Sequence, residues 1–181
     1  MEADYTQIVT GCRHHDRKAQ RALYDAMAPM AMGVCMRFAR SRPEAQDLMQ
    51  DGFIRVFEKI GKLDNPESLG AWVYHIMLNT CINHYQRTVR MESIEEHRDA
   101  FTPLATPPDD PFSNEEVVLA LQQITPQQRL VFNLVDVEGM DEQSVSKQLG
   151  CKLTTVRSLR SKAKKNLQEI LLQSSPNSPK K

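Results

Sequence analysis

Glycine and aromatic residues are scarce in this chain, with seven Gly and one Trp among 181 residues and Phe, Trp and Tyr together at 6%. Strands favour aromatic and β-branched side chains, so this scarcity, beside frequent Met, Gln and Ala, speaks against a sheet and for an all-α fold. Cys12, Cys35, Cys81 and Cys151 lie far apart with no CxxC pair. There is no secretory signal and no apolar run long enough to cross a membrane. These absences point to a reduced, cytoplasmic protein without membrane insertion. A Walker loop, a glycine-rich dinucleotide turn and a nucleophile elbow are all missing, so no enzyme is expected. His75, Cys81 and His84 match no zinc spacing, and Cys81 falls on an apolar stripe, so no metal or cofactor is expected either. His14 and His15 read as surface residues.

Net charge is also absent, yet it is an average over unlike pieces: residues 1–91 carry +2, 92–114 carry −5, 115–151 carry −4 and 152–181 carry +7. From Met91 to Asn114 the chain holds four prolines, six acids and one Arg with no helical period, and cannot pack a core. The expected organisation is two helical domains, 1–91 and 114–173, joined by a Pro-rich acidic linker at 92–113 and followed by a disordered Pro/Ser/Lys tail at 174–181.

In the first domain, helices are expected over Tyr5–Arg13, Arg17–Met27 and Met30–Arg40, with Asp16 as an N-cap and Pro29 separating the last two. Glu44 to Ile60 sets Ala45, Leu48, Met49, Phe53, Val56, Phe57 and Ile60 three and four apart, the stripe of an amphipathic helix entered through a Ser41/Glu44 capping box. Its other face shows Asp47, Gln50, Asp51, Arg55 and Glu58, which by themselves read as solvated surface. A long helix from Leu69 to Arg90 has two apolar faces, Leu69, Trp72, Val73, Ile76, Met77 and Cys81 on one and Tyr74, Leu78, Ile82 and Tyr85 on the other. It is expected between neighbours, with Trp72 in the core.

In the second domain, Ser113 with Glu116 and Thr125 with Pro126 and Gln128 mark helix starts. The helix after Thr125 carries Leu130, Val131, Leu134 and Val135 and should stop at Gly139. Asp141 to Leu149 forms a short helix, small Ser146 allows close approach, Gly150 turns, and a new helix opens near Thr154 with Val156, Ala163 and Leu167 inward. This is helix-turn-helix spacing. Lys152 to Lys165 holds six basic residues and no acid. At about 100° per residue, Thr154, Ser158, Ser161, Lys162 and Lys165 lie opposite the apolar row, with Arg157 and Lys164 at the flank. Small hydroxyls ringed by long cations suit a DNA major groove, the hydroxyls meeting base edges and the cations meeting phosphates.

Taken together, DRKAQRALYDAMAP, EAQDLMQDGFIRVFEKI, GAWVYHIMLNTCINHYQR, ITPQQRLVFNLVDVEGM and TTVRSLRSKAKKNL resemble, in order and spacing, the two-domain sigma factors of the extracytoplasmic-function group of the sigma-70 family, which direct bacterial RNA polymerase to promoters. The resemblance implies a factor that binds core RNA polymerase and promoter DNA, with an anti-sigma protein left open as a third partner. By the same resemblance, Asp47, Gln50, Asp51 and Arg55 face polymerase. Asn65, Asn79, Asn83, Arg87 and Arg90 serve the minus-ten element, while Thr154, Arg157, Ser158, Ser161, Lys162, Lys164 and Lys165 serve the minus-thirty-five element. The rival reading is a sigma-like decoy that sequesters an anti-sigma protein without initiating transcription; loss of the basic strip would mark it, and the strip is intact.

Two positions depart from the family's habit. Thr154 stands where Gly is frequent, and Leu159–Arg160 inverts the usual order of a basic residue then Leu. With Val156 at zero, Arg160 lies near 40° on the apolar flank and Leu159 near −60°. Arg160 must therefore snorkel to water, find a carboxylate, or be relieved by a rotation of the helix. On helical phase alone, exchanging the two residues is expected to leave stability unchanged or raised.

Overall fold

The computed structural model describes residues 5–92 and 115–174, and every regular element among them is helical. The expected linker, the Ser113 cap and the expected tail lie outside the described residues. The chain divides into two compact units, Met1–His84 and Tyr85–Lys181.

The first unit contains α1 (Tyr5–Arg13), α2 (Arg17–Phe38), α3 (Arg42–Lys59) and most of α4 (Leu69–Glu92), with single 3-10 turns at Ile60–Lys62 and Pro66–Ser68. Asp16 caps α2 by accepting the Lys18 N–H at 2.7 Å. The α1–α2 corner is tight because Gly11 brings the helices so close that a Cβ there would sit 2.5 Å from the Ala19 Cβ. At this corner His15 takes the left-handed conformation, φ 58°, usually given to glycine at a helix C-terminus. Both histidines of the corner, His14 and His15, are exposed.

The expected break at Pro29 does not occur. α2 runs through it as one helix of 22 residues. Leu23, Met27, Ala31, Val34, Cys35 and Phe38 form one continuous buried stripe across the proline. The ring stands on the exposed side, as does Asp25, the residue one turn back whose carbonyl loses its partner, so water can satisfy that group. Burial of the stripe outweighs one lost hydrogen bond.

The α3 stripe is as expected: Ala45, Leu48, Met49, Phe53, Val56 and Ile60 are buried and Phe57 half-buried. The Phe53 ring lies 4.6 Å from that of Tyr24 on α2. Gly52, which no sequence pattern singles out, is also buried, and a Cβ there would meet the Met77 thioether of α4 at 2.2 Å. The Ser41 hydroxyl accepts the Glu44 N–H at 3.4 Å, while the Glu44 carboxylate accepts the Arg40 N–H at 2.7 Å, one residue earlier than a standard capping box. On α4, Leu69, Val73, Met77, Leu78, Cys81 and Ile82 are buried, whereas Trp72 and Ile76 are half-buried. His75 is exposed, His84 faces Glu44 at 3.4 Å, and the Cys81 thiol lies 3.9 Å from that of Cys35 in the core, so these three side chains do not converge.

The second unit contains α5 (Glu115–Gln123), α6 (Pro126–Phe132), α7 (Glu142–Leu149) and α8 (Leu153–Ser174). Its core joins Ala120, Leu121 and Ile124 of the α5 segment to Ala163 and Leu167 of α8. Thr125 caps α6 through the Gln128 N–H and Asp141 caps α7 through the Ser144 N–H. Gly150 closes α7 at φ 65°, and the Ser146 hydroxyl donates to the Cys151 carbonyl at 2.7 Å, stapling the turn. The helix after Thr125 does not remain α-helical to Gly139. Asn133–Val137 forms a π turn, with the Glu138 N–H bonded back five residues to the Asn133 carbonyl at 2.8 Å.

Between α5 and α6 sits a fully buried cation that the sequence gives no hint of. Arg129 is 1% exposed, and its guanidinium donates to the carbonyls of Leu121 at 2.7 Å, Gln122 at 3.0 Å and Ile124 at 3.1 Å. These carbonyls close the end of α5, where the regular helical donors run out, the Leu121 carbonyl keeping only the Ile124 N–H at 3.4 Å, and where the helix dipole is negative. Arg129→Met keeps the length of the side chain and removes its donors. It is expected to cost about 2–4 kcal/mol, read as a fall of roughly 10 °C or more in melting temperature; an unchanged melt would show that the carbonyls find other donors.

Candidate nucleic-acid interface

α8 buries one face and leaves the other open. Val156, Ala163 and Leu167 are sealed, as the helical phase requires, and Thr154, Arg157, Ser158, Ser161, Lys162, Lys164 and Lys165 are all exposed. From Thr154 to Lys165 the exposed row is about 16 Å long, close to the rise of five stacked base pairs.

The cations of this row differ in what they already hold. The Arg157 Nε lies 2.9 Å from Glu142 Oε2, and the Lys164 Nζ lies 2.7 Å from Asp136 Oδ1. Lys165 is loosely paired with Glu169 one turn on, at 3.9 Å. Among the described residues, Lys152 and Lys162 have no acid within ion-pair distance. In the sequence the strip is a uniform run of positive charge; folded, it has a held flank and an open centre.

Arg160 finds a carboxylate, one of the three outcomes that helical phase left open. Its Nη2 and Nε reach the two oxygens of Asp136 at 2.7 and 2.9 Å, and its Nη1 reaches Glu142 Oε1 at 3.0 Å. Asp136 belongs to the π turn and Glu142 to the first turn of α7. The guanidinium thus ties both preceding elements to α8, with a two-point fork on Asp136. Sequence reasoning missed Asp136 and Glu142, because nothing local marks an acid whose partner lies 18 or 24 residues away. The expected neutrality of a Leu159/Arg160 exchange is overturned: Leu159→Arg with Arg160→Leu strips both acids of their central partner.

These ion pairs bias titration. Arg160 first, then Lys164, hold the Asp136 carboxyl below its ordinary range against an opposing burial effect. Arg157 first, then Arg160, do the same for Glu142.

On the first unit, α3 exposes Asp47, Gln50 and Asp51, with Arg55 half-buried. Ile54 stands among them 57% exposed, an apolar side chain that sequence reasoning missed. Its signal was available, since it lies off the buried stripe and on the polar face. Asn65 has a structural role, because its Oδ1 accepts the Glu67 N–H at 3.0 Å and caps the 3-10 turn before α4. Asn79 and Asn83 are exposed and four apart on α4, and Arg87 is exposed four residues further along the same helix. The Arg90 side chain lies outside the described residues.

Residues 23–91 match the family model for sigma-70 region 2, and residues 114–167 match that for sigma-70, region 4. The chain is 28% identical over 146 residues to the ECF RNA polymerase sigma factor SigE of Mycolicibacterium smegmatis, over 75% of this chain and 54% of that protein. It is 25% identical over 178 residues to the RNA polymerase sigma-H factor of Pseudomonas aeruginosa, over 91% and 92% of the two chains. The chain thus spans about half of the first relative and nearly all of the second. Among solved structures, the sigma factor RpoE of Bartonella quintana, crystallised with the anti-sigma factor NepR, shares the fold with a TM-score of 0.53 at 19% identity, over 86% of this chain and 98% of that one.

The Leu159/Arg160 exchange is expected to lower stability by about 1–2 kcal/mol, a value reduced for the partial exposure of Arg160. Thermal melts of the exchanged and parent proteins check it. The depressed carboxyls also set a sign for pH. Their contribution is complete above the unfolded carboxyl range, about pH 4, and is lost as pH falls through the lower folded values. Melts between pH 6 and pH 3 should therefore show a loss of stability at the acid end that Asp136→Asn diminishes.

Proposed function

The chain belongs to the extracytoplasmic-function group of the sigma-70 family, and from that premise we propose that it binds core RNA polymerase and directs promoter-specific transcription initiation. In this reading residues 1–91 bind polymerase and the minus-ten element, residues 92–113 connect, and residues 114–173 read the minus-thirty-five element. The observation that carries it is the α8 face: an exposed row of hydroxyls and cations on a helix whose opposite face is sealed in a core.

Polymerase binding rests on the polar face of α3. Asp47, Gln50 and Asp51 offer acceptors around the exposed Ile54, an arrangement of apolar centre and polar rim that suits a protein interface. Arg55 flanks it. The minus-ten element falls to Asn79, Asn83 and Arg87 on α4, with Arg90 assigned by the resemblance and Asn65 placing the loop before the helix. On α8, Thr154, Ser158, Ser161 and Lys162 are assigned to base edges, and Arg157, Lys164 and Lys165 to phosphates.

The process is one of binding, and no catalytic residue is assigned. Polymerase is positioned, two DNA elements are read, and unpaired bases of the melted strand are held. An anti-sigma protein is a further partner in this reading, because the solved relative was captured with one. Among the described residues no helix is long and apolar enough to cross a membrane, and we assign the site of action to the cytoplasm, beside polymerase. The complete cationic face of α8 speaks against a decoy that has given up DNA.

Capture of core polymerase followed by run-off transcription from genomic fragments tests the whole reading; capture without any transcript would overturn initiation. Asp51→Arg is expected to leave the helical signal intact and weaken polymerase binding by about 2 kcal/mol, roughly 30-fold, with Ile54→Ala acting in the same direction. Unchanged titrations for both would remove α3 from the interface. On DNA, Lys165→Ala should weaken all sequences alike and lower the salt slope by about one, whereas Lys162→Ala should relax preference at one position of the upstream element. Equal effects of the two on matched and scrambled duplexes would reduce the face to plain charge.

A further inference from the structure

The two acids that organise α8 are not equivalent. Asp136 is engaged through both oxygens by Arg160 and also takes Lys164, with its side chain only 14% exposed. Glu142 divides its oxygens, Oε1 to Arg160 and Oε2 to Arg157. Arg160 is held at two points by Asp136, and Glu142 braces it at a third. Arg157, by contrast, is 64% exposed and held through Nε alone.

Such an exposed, single-point pair is weak and exchangeable. If a phosphate takes Arg157, Glu142 keeps Arg160 as a partner and no carboxylate is stranded. A phosphate must nevertheless displace Glu142 to gain Arg157, and that cost falls equally on every DNA sequence. Base contacts from Ser158 and Lys162 add to binding on a matched duplex without changing that cost.

We propose that Glu142 sets the affinity of the DNA interface, holding Arg157 back from phosphates so that every duplex is bound less well than the positive strip alone would allow. The inference rests on the reading of α8 as the DNA-binding helix. Glu142 contacts no DNA in this scheme. It acts through Arg157, and the pair behaves as a competitive latch on one cation of the row while Lys162 remains open.

The test uses the full chain and two labelled duplexes, one scrambled and one enriched from a random pool by the parent protein, titrated across a range of salt. Glu142→Gln is expected to raise affinity for both duplexes by a similar factor, about 3- to 10-fold near 0.1 M salt, and to steepen the salt slope by up to about one. The ratio between the two is therefore kept. In the Arg157→Ala background the same Glu142→Gln change should move affinity for the scrambled duplex by less than about 2-fold, as the double-mutant cycle requires of a latch. An equal gain in both backgrounds would overturn the proposal, since it would show plain removal of negative charge, and so would no gain in either. Arg157→Ala, which leaves Asp136–Arg160 intact, gives a second reading: a smaller loss in the parent than in the Glu142→Gln background supports the latch, and an equal loss in both overturns it. Failure of the parent protein to bind any duplex in a salt-dependent way would instead overturn the DNA-binding reading itself, and is seen before any variant is made.

Discussion

The fork between Arg160 and Asp136, braced by Glu142, is the constraint around which the second unit is arranged. A helix-turn-helix presents DNA with a face only if the second helix is fixed in rotation about its own axis, because about 20° of roll moves a whole row of side chains. Apolar packing through Val156, Ala163 and Leu167 sets that roll coarsely. A planar guanidinium gripped at two points on one side and one on the other sets it more narrowly, since the geometry of the fork tolerates little rotation.

That fork depends in turn on events earlier in the chain. Arg129 gathers the terminal carbonyls of α5, allowing α5 to end in a buried place against α6. The π turn then inserts one extra residue before Gly139, which shifts the phase of the following side chains and sets where Asp136 meets α8. Asp141 restarts the chain as α7 and leaves Glu142 on its first turn, where a carboxylate suits the positive end of the helix and lies in reach of α8. Each step is a local piece of backbone chemistry. Together they bring two acids to one guanidinium that the sequence places 18 and 24 residues away.

The first unit reaches a comparable division by apolar means. α3 commits one face to the core, where Gly52 admits Met77, and keeps Asp47, Gln50, Asp51 and Ile54 outside. An isoleucine more than half exposed among acids contributes little burial to this unit, and its position gives the polar face an apolar centre. In both units one helix is locked by its inner face and offers the outer one.

The helix ends were legible in the sequence because capping is local. Asp16, Ser41, Thr125 and Asp141 bond to N–H groups two or three residues ahead, and Gly150 takes a conformation that its lack of a Cβ makes cheap. The apolar stripes of α3 and α8 were legible for the same reason, since a period of 3.6 residues is a property of neighbours. The ordered set of motifs across both units was specific enough to identify the family. Only tertiary structure decided that Pro29 would be carried inside α2, that Arg129 would be the most deeply buried cation among the described residues, and that Arg160 would be paired rather than snorkelled or rotated away. In each case the outcome turned on groups brought together by packing: a stripe long enough to outweigh a missing hydrogen bond, a helix end in need of donors, two acids in reach of one guanidinium. Hydrogen bonds within a turn are encoded where they occur, whereas a charge pair between helices exists only after the helices have packed.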